Sequence, residues 1–234
     1  FDGTLRYHAG RSLRLSCGRT MSQSRNIKLT IVGLLLFITV IVAGFVYRVS
    51  LPRIMTASEM SANGLYLLET PRNIGEFDLI DHHGNPFNPG RLEGQWTLVF
   101  FGFTHCPDIC PTTMTFLNTF LESLEGTEAQ DPQVVMVSVD PARDTVQQLA
   151  DYMPYFNPDF IGVTGEFLDI HRFATKLNTP FRKVMDEDGS YQVDHSSNIV
   201  LINPRGDYHG FFRAPLDLAK MKVTYRSARF IWDR

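Results

Sequence analysis

Residues 96–103 (WTLVFFGF) form a continuous apolar run with aromatic and β-branched members, the pattern of a strand covered on both faces. The pattern recurs at 134–139 (VVMVSV), at 198–202 (NIVLI) and more weakly at 160–163. Helical spacing fills the gaps: Met114, Leu117, Phe120, Leu121 and Leu124 share one face, as do Val146, Leu149, Ala150 and Met153, and then Phe167, Ile170, Ala174 and Leu177. Strands alternating with helices of this size predict an α/β fold, a sheet with helical crossovers. Residues 208–212 supply a last strand, and a final helix follows from Pro215. Upstream, 77–81 alternates apolar and acidic residues, and His82-His83-Gly84-Asn85 precedes Phe87, which reads as a short hairpin. Adjacent histidines in such a turn ordinarily point into water. From 48 to 73 no period is sustained. That stretch is read as a linker and the folded domain as 74–234.

One apolar stretch has no period of either kind. Residues 29–47 (LTIVGLLLFITVIVAGFVY) carry no charge, and as a helix they are about 28 Å long, close to the hydrocarbon thickness of a bilayer. A surface apolar all round is unusual for a core helix in a small soluble domain. A cleavable signal peptide would have a shorter apolar region and a small-x-small site, whereas Tyr47-Arg48-Val49-Ser50 follows here. The expectation is a single uncleaved transmembrane anchor over 29–47. Arg25 and Lys28 precede it, with Arg6, Arg11, Arg14 and Arg19 further back, and only Arg48 and Arg53 follow closely. Positive-inside counting therefore puts 1–28 in the cytoplasm and the large C-terminal part outside the inner membrane. Met21-Ser22-Gln23 resembles a natural start, so residues 1–20 are set aside from the fold argument as upstream sequence. An Arg-rich mitochondrial presequence is the other reading of that stretch.

Composition sharpens this division. The 234 residues are 44% hydrophobic and 20% charged, which excludes a disordered chain, a collagen-like repeat or a disulfide-dense scaffold. The formal charge of −3 argues against a nucleic-acid binder. That total conceals two regions. Residues 1–48 hold seven Lys/Arg against one acid, and 49–234 hold 15 against 24, giving +6 and −9. Regions so different in charge face different surroundings.

Of three cysteines, Cys17 lies in the set-aside segment. The other two stand in Thr104-His105-Cys106-Pro107-Asp108-Ile109-Cys110-Pro111, where the first central strand ends and the first long helix begins, the usual place for ligand groups in α/β sheets. Pro111 is tolerated only in a helix's first turn, so the helix starts near Asp108, a candidate N-cap. Free N–H groups and the helix dipole there favour thiolate, which predicts a lowered thiol pKa. A spacing of four puts both sulfurs on one helical face, able to share a ligand or form a disulfide. Thiolate pairs suit Cu(I) and also Zn(II), and spacing alone does not choose between metal and redox chemistry. A third ligand would decide, and His195, just before the strand at 198–202, is the candidate. Met114, Met136 and Met153 sit on apolar faces and are read as core.

The runs FFGFTHCPDICPTTM, VSVDPARDT (137–145), FIGVTG (160–165) and DHSSNIVLINPRG (194–206), in that order, resemble the Sco/SenC proteins, membrane-anchored copper chaperones of respiratory oxidase assembly. The resemblance spans about residues 70–220. It implies a thioredoxin-like fold in which Cys106, Cys110 and His195 bind copper. It also implies that the acidic neighbour Asp194 assists Cu(II) binding or orients the histidine. His105 stands where other members often carry another residue, and only a supporting hydrogen bond is expected of it.

The expected function is then a metallochaperone that delivers copper, as Cu(I) or Cu(II), to the CuA centre of cytochrome c oxidase subunit II. Other periplasmic copper chaperones are further expected partners. The empty dithiol would close to a Cys106–Cys110 disulfide. The expected location is the bacterial inner membrane with the domain in the periplasm, or the mitochondrial inner membrane facing the intermembrane space. The competing reading, from another class, is a thiol–disulfide oxidoreductase that reduces the cysteines of the oxidase. A thioredoxin-fold peroxidase is weaker, because no Arg stands beside Cys106 in sequence. Asp140-Pro141-Ala142-Arg143-Asp144-Thr145 reads as a turn and helix start capped by Asp144 or Thr145, and 186–189 as a solvated acidic turn.

Overall fold

The computed structural model describes residues 20–50, 54–126, 132–185, 187 and 189–233. Expectations for 1–19, Cys17 among them, and for Arg53, Asp186 and Asp188 lie outside the described residues. The chain divides into two units, Phe1–Arg53 and Ile54–Arg234. In the first, α1 (Thr20–Ser50) contains Asn26–Arg48, 23 residues with mean hydropathy 2.8, long and apolar enough to cross a membrane. None of its most apolar window is buried within the protein, which separates it from a core helix.

The second unit contains, in chain order, α2 (Ala57–Ala62), β1 (Leu65–Asn73), β2 (Leu79–Asp81), β3 (Pro86–Phe87), β4 (Thr97–Gly102), α3 (Ile109–Leu124), β5 (Gln133–Ser138), α4 (Val146–Tyr152), β6 (Ile161–Thr164), α5 (Phe167–Lys176), β7 (Phe181–Met185), β8 (Tyr191–His195), β9 (Ile199–Ile202), β10 (Asp207–Phe212) and α6 (Leu218–Trp232). Eight strands form one sheet in the order β1-β10-β9-β4-β5-β6-β2-β3, and β7 and β8 pair separately. The β4–β5 and β5–β6 pairs are parallel, with α3 and α4 as crossovers, while β9 lies antiparallel to β4.

Burial explains why the apolar runs became strands. All six residues of β4 are buried, so the strand is covered on both faces, as its unbroken run predicts. On α3, Met114, Leu117, Phe120 and Leu124 are at most 1% exposed. Each contributes on the order of 2 kcal/mol by leaving water. Helix α6 joins the same layer, its Tyr225 ring edge-on to Phe120 with centroids 5.6 Å apart. Met114, Met136 and Met153 are fully buried, as core residues should be.

Several expectations need correction. Residues 48–73 are not all linker: α2 carries a capping box at Thr56 and Glu59, and β1 pairs antiparallel with β10 from Leu65–Phe212 to Asn73–Asp207. Strand β1 carries no clear alternation because it lies at the sheet edge, where Pro71 is tolerated, and because its register shifts between Leu67 and Arg72. Phe167 is exposed; on α5 the core positions are Ile170, Phe173 and Ala174. The β7–β8 hairpin likewise leaves no readable apolar pattern, since Val193 is the one buried residue among its ten strand positions. His82 is buried, and its Nδ1 accepts a hydrogen bond from the Gly162 N–H at 3.1 Å, so it holds β2 to β6.

Candidate metal centre

The cysteine loop leaves the C-terminal end of β4 and enters α3. Thr112 N–H donates to the Asp108 carbonyl at 3.1 Å, so the helix begins where Pro111 requires. Asp108 occupies the N-cap position, but its side chain accepts no backbone N–H there. Cys106 takes that part, its Sγ accepting from the Cys110 N–H at 3.4 Å. The loop is tied down by Asp144, a fully buried carboxylate just after β5. It accepts from Thr104 N–H (2.9 Å), Thr104 Oγ1–H (2.7 Å) and Ser138 Oγ–H (2.7 Å). Thr145, not Asp144, caps α4. The role of Asp144 was not read from the sequence, because all three donors come from outside its own turn.

His195 ends β8 and reaches the cysteines from the other side of β4. Because β9 pairs with β4, the segment entering β9 passes over the β4 terminus. The imidazole is held edge-on by Phe100 and Phe103, with centroids 5.7 and 5.8 Å away. Its Nδ1–H donates to the Ser196 carbonyl at 3.1 Å, an assignment that leaves Nε2 as a lone-pair donor facing Cys110 Sγ at 3.6 Å. The ligating atoms of Cys106, Cys110 and His195 all lie within 4.8 Å of one another. No other His/Cys/Asp/Glu cluster of this kind occurs among the described residues.

The structure brings these three together and leaves two neighbours out. Strand alternation turns Asp194 away from His195, onto the opposite face of β8, where its carboxylate accepts from Arg182 Nε at 3.1 Å and is 60% exposed. Asp194 therefore stands outside the donor cluster. His105 is half exposed, with Nδ1 3.1 Å from Thr104 Oγ1 and 3.7 Å from Asp144 Oδ1.

The expected thiol activation is also corrected for Cys110. Its side chain is fully buried, and burial drives its thiol well above the ordinary value, with Cys106 beside it pushing the same way. Burial likewise lowers the His195 pKa, which keeps the imidazole neutral and free to ligate. The Tyr152 hydroxyl, buried and without a hydrogen-bond partner among the described residues, is raised by burial and then by the charges of Cys110 and Cys106. Both cysteines are free thiols, Cys106 at 9% exposure being the more accessible. Gly102 lies under the site: a Cβ there would stand 3.1 Å from Cys110 Sγ and 2.6 Å from the Phe100 ring, so only glycine lets the loop sit this close to β4.

Two soft sulfurs and one imidazole, converging from two loops without a carboxylate, form a donor set suited to a soft, low-coordinate ion. A protein of Stutzerimonas stutzeri whose name describes copper binding is 41% identical over 152 residues, 65% of this chain and 74% of that one. The protein SCO1 homolog 1, mitochondrial, of Arabidopsis thaliana is 35% identical over 175 residues; the match covers 73% of this chain but only about half, 52%, of that relative. The crystal structure of Arabidopsis thaliana ScoI with copper bound superposes with a TM-score of 0.63 at 35% identity, over 67% of this chain and 98% of that one. The expected α/β, thioredoxin-like architecture is therefore the one observed. The SCO1/SenC family model matches residues 67–227, and the chain belongs to that family.

Proposed function

We propose that this protein is a copper carrier that binds the ion through Cys106, Cys110 and His195 and delivers it to the CuA centre of cytochrome c oxidase subunit II. The observation that carries the reading is the convergence of two sulfurs and one neutral imidazole within 4.8 Å. The copper-bound Arabidopsis structure supports the choice of ion. Cu(I) would be held by two thiolates and an imidazole, with release of the thiol protons, and the ion's positive charge would offset the cost of burying the Cys110 thiolate. Cys106, at the site's more open side, is the donor through which an incoming ligand can displace the protein by exchange. With Cu(II), an oxygen donor from water would complete the coordination; Asp194 could serve only if it left Arg182 and the end of β8 turned its other face to the cluster. Once emptied, the dithiol can pass two electrons and two protons to an external disulfide, which is reduced to two thiols, and close to the Cys106–Cys110 disulfide, so copper loading and thiol redox state are coupled.

In this reading α1 anchors the domain in the membrane with 1–28 on the cytoplasmic side, and the domain stands in the bacterial periplasm or, in a mitochondrion, the intermembrane space. The competing thiol reductase of the oxidase cysteines would need only Cys106, the more accessible thiol, as nucleophile and Cys110 as its resolving partner. It would also have no use for His195. The test is copper titration of the reduced full chain in detergent, followed by incubation with apo subunit II. One Cu(I) per chain, transferred to subunit II, is expected. Reduction of the subunit II disulfide without copper transfer would instead establish the reductase.

A further inference from the structure

The turn between β5 and α4 contributes nothing to the donor cluster, yet it meets the strand that carries His195. The Tyr191 hydroxyl donates to Asp140 Oδ1 at 3.0 Å. The other Asp140 oxygen accepts from Arg143 Nε, and Arg143 Nη2 donates to the Tyr191 carbonyl at 3.4 Å. The Arg143 guanidinium also lies 4.0 Å from the centroid of the Tyr191 ring and 5.7 Å from that of Phe103, the ring that meets His195 edge-on. Lys183 Nζ approaches the Tyr191 ring to 3.6 Å. Asp140 is 2% exposed, so its carboxylate is a buried charge that Arg143 and the Tyr191 hydroxyl together satisfy.

The location gives this network its consequence. Among the described residues hairpin β7–β8 forms no ladder with the large sheet, so side-chain contacts hold it in place. Tyr191, Val193 and His195 alternate onto one face of β8, and Val193 is buried beneath it. Fixing Tyr191 therefore fixes the direction of the strand that ends at His195. We propose that Asp140, Arg143 and Tyr191 form a latch that holds the His195-bearing strand over the cysteine loop, making Arg143 and Tyr191 positioning residues for the third copper donor. The inference rests on the reading of His195 as a ligand.

The test measures Cu(I) affinity of the full chain in detergent by competition with a chromophoric Cu(I) chelator. The variants are Arg143→Ala, Arg143→Lys, Tyr191→Phe, His195→Ala, and the first and third combined with His195→Ala. Arg143→Ala should weaken binding on the order of tenfold, as loss of a ligand's supporting partner does. Tyr191→Phe, which keeps the ring and removes only the hydroxyl, should weaken it about threefold, and Arg143→Lys should recover part of the loss. In the His195→Ala background neither change should weaken binding further, because the donor they position is gone. Equal losses in both backgrounds, or a lowered melting temperature with unchanged affinity, would show a brace for the fold and overturn the latch. If Arg143→Ala fails to fold, Tyr191→Phe decides by the same comparison. A loss on His195→Ala with none on Tyr191→Phe or Arg143→Ala overturns the latch alone. No loss on His195→Ala overturns the three-donor reading and the latch with it.

Discussion

His195 Nε2 stands 3.6 Å from Cys110 Sγ although 85 residues separate them along the chain. Two structural facts close that distance: the antiparallel pairing of β9 with β4, and the wedge of Phe100 and Phe103 against the imidazole. Because Nδ1 is engaged by the Ser196 carbonyl, the remaining ring nitrogen is aimed before any ion arrives.

His195→Ala should weaken Cu(I) binding on the order of a hundredfold or more, since a donor is lost outright and not merely loosened. Both thiols should remain titratable with a thiol reagent in the reduced protein. Unchanged copper affinity in chelator competition would mean that the two cysteines bind copper unaided.

Gly102→Ala should disturb the site from below. The new methyl would press on Cys110 Sγ and the Phe100 ring, both buried, and overpacking of this kind costs about 1–3 kcal/mol. A lower melting temperature together with weaker copper binding is expected. Wild-type values for both would show that the loop has slack at β4.

Asp144→Ala should release the cysteine loop. It leaves the half-buried Thr104 N–H and the buried Ser138 hydroxyl without their acceptor, at a cost of about 3 kcal/mol. Asp144→Asn keeps one acceptor oxygen and should lose less. Thermal unfolding of the two variants, compared with wild type, checks the order.

His209 predicts a pH dependence away from the Cys106–Cys110–His195 cluster. Its ring packs edge-on to Trp96 and Trp232, and burial, helped by the nearby Arg205 charge, lowers its pKa from 6.5 to about 4. The unfolded chain therefore binds more protons than the folded one between these two values. Stability is fully present above about pH 6.5 and falls as the pH drops toward 4, by up to about 3 kcal/mol. In His209→Gln the loss between pH 6.5 and 4 should shrink, as chemical denaturation at several pH values would report. An unchanged pH profile would assign the loss to other groups.

Much of the molecule could be read locally. The unbroken runs that became β4, β5 and β9 and the spaced apolar positions of α3 carry their burial in their own sequence, because covered strands and amphipathic helices each impose a period or a run. Strand β1 and the β7–β8 hairpin do not, since edge and surface strands bury too little to leave one. The cysteine pair and its place at a strand-to-helix junction were equally legible, as was His195 once the family resemblance supplied its partners.

By itself, then, the sequence determined the sheet's central strands, the apolar membrane-length helix, and which sulfurs and imidazole stand ready for a soft metal. Tertiary structure alone decided that Cys110 is buried, which overrides the pull of the helix terminus on its thiol. It also decided that Asp194 faces Arg182, that Asp144, read in sequence only as part of a turn, ties down the cysteine loop, and that Asp140 and Arg143 meet Tyr191 on the strand that carries His195. Residue type and spacing are local properties of the chain. Solvation and direction are not, because both are set by whichever distant segment packs against the group.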